Sequence, residues 1–248
     1  MTQFKCDVDL LTTADSGPRD VLTILWGVFH TTENDDNTPP QNVARWQQDR
    51  ANESSYNVLF GARGTTVRSN DDNYIPWAAG WTGNRYGLHG SAVGRAARTR
   101  SQWLQFPEQL ESMANWAADL NRRYGLPLIK LTAEQVRAKQ KGFCGHLEIS
   151  KAFGEVNHTD PGPGFPWDVV LNRAKEINDP PTLRKSKNVA SQDKQLDLTL
   201  DQLVGHPWKE FPGWPQLGNR SLVDGLGAIG EKLGVAGMFD TQGEQRKE

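Results

Sequence analysis

The feature that most restricts the fold of this chain is an apolar run at residues 21–30, which ends in His30. Polar and apolar residues do not alternate along the run, so it predicts a strand buried on both faces of its sheet. Such a sheet needs helices packed against each side. A strand that ends in a histidine can also deliver the imidazole to a cleft at the edge of the sheet. The run therefore predicts an α/β fold and a candidate site residue.

The segments that follow alternate between strand-like and helix-like patterns. The helix pattern is clearest where large apolar residues recur at intervals of three and four. Residues 78–86 are predicted to form a Gly-rich loop. The other predicted elements are strands at residues 55–61, 65–69 and 87–94, and helices at residues 40–51, 101–124 and 166–177. This order predicts a three-layer α/β domain in which helices flank a central mixed β-sheet.

A change of composition near residue 178 predicts where this domain ends. The polar residues 179–195 include a Pro-Pro pair and are typical of a linker. Residues 196–248 carry apolar patches that are too small for a core of their own, so they are predicted to be a C-terminal accessory segment. A chain of 248 residues can hold one large domain, here residues 1–178, and such a small appendage.

Composition argues against several classes of partner. The net charge of −2 gives no reason to expect nucleic-acid binding, and no apolar run approaches the length of about 20 residues that spans a membrane. The N-terminus is too polar for a signal peptide, so we expect a cytoplasmic protein, or one released by a route that needs no signal. Two cysteines are too few for a disulfide framework. We also expect a monomer.

Metal-binding residue types cluster in a Pro/Gly-rich stretch at residues 145–167. His146, His158 and Asp160 are side chains of the kind that bind a divalent metal or transfer protons. A further ligand has to come from a distant part of the sequence, and His30 is the best candidate. Cys144 lies two residues before His146 and is predicted to be a buried thiol rather than a ligand. Taken alone these residues are weak signals, because a single histidine is more often a hydrogen-bonded structural residue.

The order of the segments over residues 20–178 resembles the zinc-dependent N-acetylmuramoyl-L-alanine amidases of the type 2 family, relatives of the peptidoglycan-recognition proteins. In that family a strand ends in one zinc-binding histidine, a second follows a glycine, and a third ligand precedes a Pro-Gly pair. His30, His146 and Asp160 occupy the matching positions. The resemblance implies that these three residues hold Zn²⁺, and that the chain hydrolyses the amide between N-acetylmuramic acid and L-alanine in bacterial peptidoglycan.

The residue types suit that chemistry. Two neutral imidazoles and one carboxylate hold Zn²⁺ at roughly 2.0–2.2 Å and leave a fourth position for water. The ion lowers the pKa of that water to about 7 and polarises the scissile carbonyl. Because the ligands carry one negative charge, the site keeps a net charge of about +1 that can stabilise an oxyanion.

The resemblance also indicates catalytic helpers. Many relatives carry a lysine two residues before the third ligand, where this chain has His158, and others use a tyrosine that matches Tyr56. We therefore predict that Tyr56 and His158 assist catalysis, although Tyr56 could equally be a core aromatic. The catalytic glutamate of some relatives is replaced by His89, so the identity of the general base stays open; Glu33 and Glu148 are weaker candidates. The substrate pocket is predicted to include His89, Trp81, Asn84 and Thr31.

Two segments, at residues 102–104 and 213–218, are similar to lysin A endolysins of phages that attack mycobacteria and their relatives. That likeness implies a lysis enzyme held in the host cytoplasm until a holin-type route releases it to the cell wall. The main alternative is a non-catalytic peptidoglycan-recognition module on the same fold, but the presence of Asp160 favours an enzyme. A regulator on this fold remains a further alternative. An unrelated metallopeptidase is less expected because the chain lacks a His-Glu-x-x-His motif.

Overall fold

The computed structural model describes residues 3–179, 222–235 and 238. A mixed β-sheet forms the centre of the larger part. The strands are β1 (Val8–Asp9), β2 (Asp15–Pro18), β3 (Trp26–Thr31), β4 (Val58–Phe60), β5 (Thr66–Arg68), β6 (Tyr74–Pro76), β7 (Gly87–Ala92) and β8 (Gly142–Gly145). The helices are α1 (Pro40–Gln47), α2 (Gly80–Tyr86), α3 (Arg100–Trp103), α4 (Pro107–Tyr124), α5 (Ala133–Arg137), α6 (His146–Phe153), α7 (Trp167–Asn178) and α8 (Leu222–Lys232).

The six strands of the main sheet are ordered β1-β5-β4-β7-β3-β8. Every neighbouring pair is parallel except β4 and β5, which are antiparallel, while β2 and β6 form a separate antiparallel pair. Phe29 on β3 pairs with Gly145 on β8. Because parallel strands end at the same edge, His30 and His146, one residue further on, arrive there together.

Helices cover both faces of the sheet, which confirms the predicted three-layer α/β architecture. On one face, α4 and α7 form an apolar cluster around Phe29 and Trp116. On the other, α5 and α6 pack over Trp26, Val28 and Cys144. Because alternate side chains of a strand point to opposite faces, the continuous apolar run supplies both clusters.

The strand predicted at residues 21–30 begins later than expected. Residues Val21–Thr23 form a 3-10 turn, and β3 starts at Trp26. The carboxylate of Asp20 accepts a hydrogen bond from the backbone N of Leu22 at 2.9 Å and caps this turn. The apolar character of residues 21–23 alone favoured a strand, but the cap at Asp20 stabilises a turn there instead.

The prediction of a Gly-rich loop at residues 78–86 is wrong, because Gly80–Tyr86 form the helix α2. The side-chain oxygen of Asn84 accepts hydrogen bonds from the backbone N of Ala78 and Ala79 at 2.9 and 2.6 Å. These two N–H groups lie at the start of α2, where backbone donors have no carbonyl partner within the helix, and Asn84 supplies one. Intrinsic propensity is overridden here by a side chain from within the helix.

Two predicted helices are shorter than expected. The helix predicted at residues 101–124 is divided into α3 and α4, with Pro107 as the first residue of α4. Proline suits a first helical position but disfavours helical backbone in the residue before it, so the division falls there. The helix predicted at residues 40–51 ends at Gln47 and is followed by a 3-10 turn at Arg50–Asn52.

The C-terminal part is described over a shorter length. The chain separates into two compact units, residues 1–180 and 181–248. Apart from Asp179, the predicted linker at residues 179–195 lies outside the described residues, as does most of the accessory segment at residues 196–248. In that segment α8 exposes Val223, Leu226 and Ile229. Among the described helices, none combines the length and apolar character needed to cross a bilayer.

A truncation after Asn178 should fold and keep its metal site. The apolar clusters of the described residues draw on side chains from Phe4 to Ile177, and the Asn178 side chain donates to the carbonyl of Ala118 at 2.9 Å. We expect cooperative thermal unfolding by circular dichroism and undiminished zinc content. A control truncation after Phe165, which removes α7, should not fold. An insoluble 1–178 protein would show that the C-terminal segment completes the core.

Candidate metal centre

Three side chains from distant parts of the sequence converge beyond the edge of the sheet. His30 is the second-last residue of β3, His146 is the first residue of α6, and Asp160 lies in the loop between α6 and α7; all three are buried. His30 Nδ1 is 2.8 Å from Asp160 Oδ2, and His146 Nδ1 is 3.2 Å from Asp160 Oδ1. The candidate ligand atoms all lie within 4.8 Å of one another.

A glycine allows the loop with Asp160 to close over the start of α6. A Cβ at Gly145 would lie 2.7 Å from Pro161 Cδ and 3.0 Å from the carbonyl oxygen of Asp160. That carbonyl instead accepts a hydrogen bond from the backbone N of Leu147 at 3.3 Å. Glu148 accepts from the backbone N of Gly145 at 2.8 Å, so this carboxylate serves the helix start. The residue before His146 therefore has to be a glycine for steric reasons.

His146 does not extend β8 as a strand residue. The backbone changes from strand to helix after Gly145, so Cys144 and His146 do not share a strand face. The Cys144 side chain is fully buried in the apolar cluster of α5 and α6. Burial also raises the pKa of the Cys144 thiol well above its usual value, so it stays protonated. These observations agree with the prediction of a core thiol.

Charge and burial favour the ionised form of Asp160 and the neutral form of His146. Burial on its own would raise the pKa of Asp160, but the interactions of its carboxylate with His30 and His146 outweigh it and hold that pKa far below the usual aspartate range. Burial lowers the pKa of His146, and the hydrogen bond with Asp160 offsets this in part. An ionised carboxylate and a neutral imidazole are the forms that bind a cation.

The arrangement fits a small divalent metal. Ligand atoms around tetrahedral zinc lie about 3.3 Å apart, given bonds of about 2.0–2.1 Å, and the 3.2 Å between His146 and Asp160 agrees with this spacing. Each oxygen of Asp160 also faces an imidazole nitrogen, so a proton or a cation has to separate their lone pairs. Two nitrogens and one oxygen form a ligand set typical of zinc.

A cleft of about 740 Å³ opens onto this group. Polar and apolar atoms contribute equally to its wall, which includes the predicted site residues Thr31, Tyr56, Asn84, His146, His158 and Asp160. The buried group of candidate ligands therefore has an open approach wide enough for a substrate. A buried His-His-carboxylate group at the wall of an open cleft is suited to metal-assisted hydrolysis.

Comparison with known proteins decides the family. A sequence model described as N-acetylmuramoyl-L-alanine amidase matches residues 21–163, more than half of the chain. The chain belongs to this amidase family. The match confirms the resemblance drawn from His30, His146 and Asp160, and it supports amidase activity on peptidoglycan. A second model, described as the Rv3766 C-terminal domain, matches residues 189–237 of this amidase-family chain. No curated protein matches the chain.

The chain is similar to several solved structures. A Staphylococcus aureus hydrolase, AmiA, in complex with its ligand matches with a TM-score of 0.55 and 16% identity, over 72% of this chain and 85% of that chain. The N-acetylmuramoyl-L-alanine amidase LysC from Clostridium intestinale URNW gives 0.48 and 15% identity, over 69% and 99%. The Ph2119 endolysin, from Thermus scotoductus MAT2119 bacteriophage Ph2119, gives 0.44 and 16%, over 65% and 90%.

Tyr56 flanks the metal-binding group on the His30 side. It precedes β4, and its ring centroid lies 5.2 Å from that of His30. Burial raises the pKa of Tyr56 to about 12, with a contribution from the charge of Asp160. At neutral pH the hydroxyl is therefore protonated and can donate a hydrogen bond. The side chain lines the cleft and is partly buried.

His158 flanks the group on the opposite side. Its ring stacks on that of His146, with centroids 4.6 Å apart and planes inclined by 6°. The residue is exposed in the cleft wall, and its carbonyl accepts a hydrogen bond from Ser150 Oγ at 3.0 Å. Asp160, not His158, belongs to the group whose ligand atoms converge. His158 is thus placed beside the candidate ligands.

Two residues predicted for the substrate pocket lie elsewhere. His89 is fully buried behind His30, with its Nδ1 2.9 Å from His30 Nε2, and so does not form part of the cleft wall. Trp81 is 56% exposed on α2, where the guanidinium of Arg85 lies 5.8 Å from the centre of its ring. The Gly-rich stretch was predicted to be a loop, but it forms α2 and leaves Trp81 exposed outside the cleft wall.

Sequence reasoning did not find several residues of the cleft wall, among them Glu53, Ser54, Trp77 and Asn157. Trp77 follows β6, and its ring is packed under Arg50 at 4.8 Å. Its indole N–H donates to Ser16 Oγ at 2.8 Å. The pairing of β6 with β2 brings it to the cleft, and no spacing pattern in the sequence signals that pairing. Glu33, a weaker candidate for the base, does line the cleft, and it accepts hydrogen bonds from Thr31 Oγ1 and the backbone N of Ala96.

Proposed function

We propose that this chain is a zinc-dependent hydrolase that cleaves the amide between N-acetylmuramic acid and L-alanine in bacterial peptidoglycan. The observation that carries the proposal is the buried group of His30, His146 and Asp160 at the wall of an open cleft. Membership of the amidase family indicates which bond is cleaved and in which polymer that bond occurs. The geometry supplies a reason for the metal, because this group combines the donor types and spacing of a zinc site.

In this proposal His30, His146 and Asp160 hold Zn²⁺. Zinc in such a site supplies an activated water near neutral pH and a Lewis acid for the scissile carbonyl. The three residues contribute one negative charge, which leaves the site positive towards a developing oxyanion. Burial of all three excludes bulk water from the ligand side, so this positive charge is screened less than it would be at the surface.

His158 and Tyr56 stand on either side of the proposed zinc site. His158 is stacked on His146 and exposed to the cleft, so an N–H of its ring can reach a substrate oxygen bound beside the metal. Tyr56 lies against His30 and keeps its proton, so it can donate from the other side. We assign His158 to the oxyanion of the tetrahedral intermediate. We assign Tyr56 to orientation of the substrate carbonyl.

Removing the Tyr56 hydroxyl should have a moderate effect. Tyr56→Phe keeps the ring against His30, and loss of one hydrogen bond worth about 1 kcal/mol lowers turnover roughly fivefold to tenfold. Zinc content and thermal stability should stay at wild-type levels. Turnover can be measured on purified peptidoglycan by the release of L-alanine N-termini. If Tyr56→Phe turns over as fast as wild type, Tyr56 serves packing only.

The proposed activity can be tested on dye-labelled cell walls. We expect dye release by the zinc-loaded protein, loss of release with a chelator, and recovery on adding zinc. Hydrolysis of the proposed bond creates L-alanine N-termini and no new reducing sugar ends. New reducing ends would indicate cleavage of the glycan instead. Binding to the walls without release of dye would identify a recognition module on this fold.

We infer further that the chain serves a phage as an endolysin. The support is the likeness of residues 102–104 and 213–218 to lysin A enzymes. An enzyme with that role waits in the cytoplasm and acts when a holin-type route opens the membrane. Expression inside a susceptible host should therefore leave the cells intact until a membrane-permeabilising agent is added, and then lyse them rapidly. Cells that survive permeabilisation while they contain active enzyme would contradict this role.

A further inference from the structure

A chain of hydrogen bonds extends behind His30, away from the cleft. His30 Nε2 is 2.9 Å from His89 Nδ1, and His89 Nε2 is 3.1 Å from the carbonyl oxygen of Gly83. A carbonyl oxygen can only accept, so His89 Nε2 carries the proton. In a neutral imidazole the other nitrogen, Nδ1, then accepts from His30 Nε2–H. His30 is left with a lone pair on Nδ1, the atom that faces Asp160.

The strand register places His89 for this contact. Val28 on β3 pairs with His89 on β7, so the side chains of His30 and His89 project from the same face of the sheet. The backbone of His89 is held by Asn57, whose side-chain oxygen accepts from His89 N at 2.8 Å and whose N donates to His89 O at 2.9 Å. The imidazole therefore has little freedom to leave His30.

Gly87 leaves room for the hydrogen bond between His89 and the Gly83 carbonyl. A Cβ at Gly87 would lie 2.8 Å from His89 Nε2 and 2.7 Å from the carbonyl oxygen of Gly83. It would thus intrude on the hydrogen bond between these two atoms. The backbone of Gly87, with φ of −101°, is one that any residue can adopt. The need for glycine at this position is therefore steric, and it comes from the His89–Gly83 contact.

We propose that His89 is a positioning residue that fixes the tautomer and the ring orientation of His30 for metal binding. The inference rests on the proposed zinc site. His89 is fully buried, and both of its ring nitrogens are engaged, so it acts through His30 and does not touch the substrate. A metal-binding histidine whose second nitrogen is held in this way loses less freedom on binding, and its outer partner typically contributes 10–100-fold to metal affinity.

The test compares two substitutions in the full-length chain. His89→Leu removes the acceptor for His30 Nε2–H, and His89→Asn restores one, because the Asn Oδ1 can take the place of Nδ1. Zinc affinity is measured by competition with a chelator at fixed pH. We expect about 10–100-fold weaker binding for His89→Leu and recovery of most of the affinity for His89→Asn. Thermal unfolding of each protein without zinc shows whether folding has changed.

A second readout reports on His30 directly. In the zinc-loaded wild-type protein, NMR of ¹⁵N-histidine should show the His30 Nε2–H proton slowed in exchange with water by its bond to His89. The proton should exchange faster in His89→Leu and stay protected in His89→Asn. Gly87→Ala leaves His89 in place but should disturb its hydrogen bond to the Gly83 carbonyl, so the His30 proton should exchange faster in this variant too.

The outcomes separate this inference from the proposed function. Wild-type zinc affinity in a folded His89→Leu, or equal weakening in both variants, would overturn the role of His89 as acceptor. If His89→Leu does not fold, His89→Asn and the exchange of the His30 proton decide the matter. A wild-type chain that binds no zinc, or zinc binding that survives His146→Ala, would overturn the metal site itself.

Discussion

Replacing His146 with alanine should yield a folded protein that binds no zinc and hydrolyses no peptidoglycan. His146 is one of three proposed ligands, and its loss leaves His30 and Asp160, which are too few to hold the ion tightly. Without the ion, both the activated water and the stabilisation of the oxyanion are lost, so turnover should fall to background. Asp160→Ala should have the same result. Metal analysis and peptidoglycan turnover on the same sample measure both effects.

A matched control for this experiment is Cys144→Ala. Cys144 is two residues from His146 and equally inaccessible, but its sulfur packs in the apolar cluster of α5 and α6. The variant loses a small apolar contact, so stability should fall somewhat while zinc content and turnover persist. Undiminished zinc in His146→Ala would refute the ligand assignment. Loss of zinc in Cys144→Ala with normal folding would make the thiol a ligand.

His158→Ala should lower turnover by about 10²–10³ while zinc stays bound. The expected magnitude is that of losing one donor from an oxyanion site, roughly 2.7–4 kcal/mol. His158 is exposed on the cleft wall and stacked on the ring of His146, so it is placed to meet the substrate beside the ligands. Because the donor acts on the charge that develops during reaction, substrate affinity should change little. Turnover, KM and zinc content are measured on one preparation.

Two further variants distinguish hydrogen-bond donation by His158 from its stacking on the ring of His146. His158→Phe keeps a flat ring against His146 but has no N–H, so it should be as slow as His158→Ala. His158→Lys loses the ring but supplies a charged donor of the kind that many relatives carry, so it should retain substantial activity. The opposite order, with phenylalanine active and lysine inactive, would show that His158 acts by supporting the His146 ring. Full turnover with full zinc in His158→Ala would exclude both roles.

The convergence of the three candidate ligands was predictable because each of them stands at a point that the sequence marks. His30 ends an apolar strand, His146 follows a glycine, and Asp160 precedes Pro-Gly. The structure explains the second mark, since a Cβ at Gly145 would meet Pro161 and the carbonyl of Asp160. Strand ends and turns are visible in sequence because they depend on local residue types.

The surroundings of the group were less predictable because they depend on tertiary contacts. The role now proposed for His89 requires the register of β3 against β7 and a carbonyl from α2. Residues of α2 were expected to form a loop, so neither this carbonyl nor the outward direction of Trp81 could be foreseen. The α2 start depends on the side chain of Asn84, which propensity does not include.

The most direct test of the whole account is hydrolysis of a defined muramoyl peptide by the zinc-loaded protein in ¹⁸O-labelled water. Amide hydrolysis transfers one oxygen atom from water to the lactyl carbonyl and releases the amine of L-alanine. We predict a muramoyl product with a single ¹⁸O in its lactyl carboxylate, a free L-alanine N-terminus, and loss of both in His146→Ala. Label in a sugar hydroxyl or in a peptide carboxylate, or product formation that persists in His146→Ala, would contradict the account.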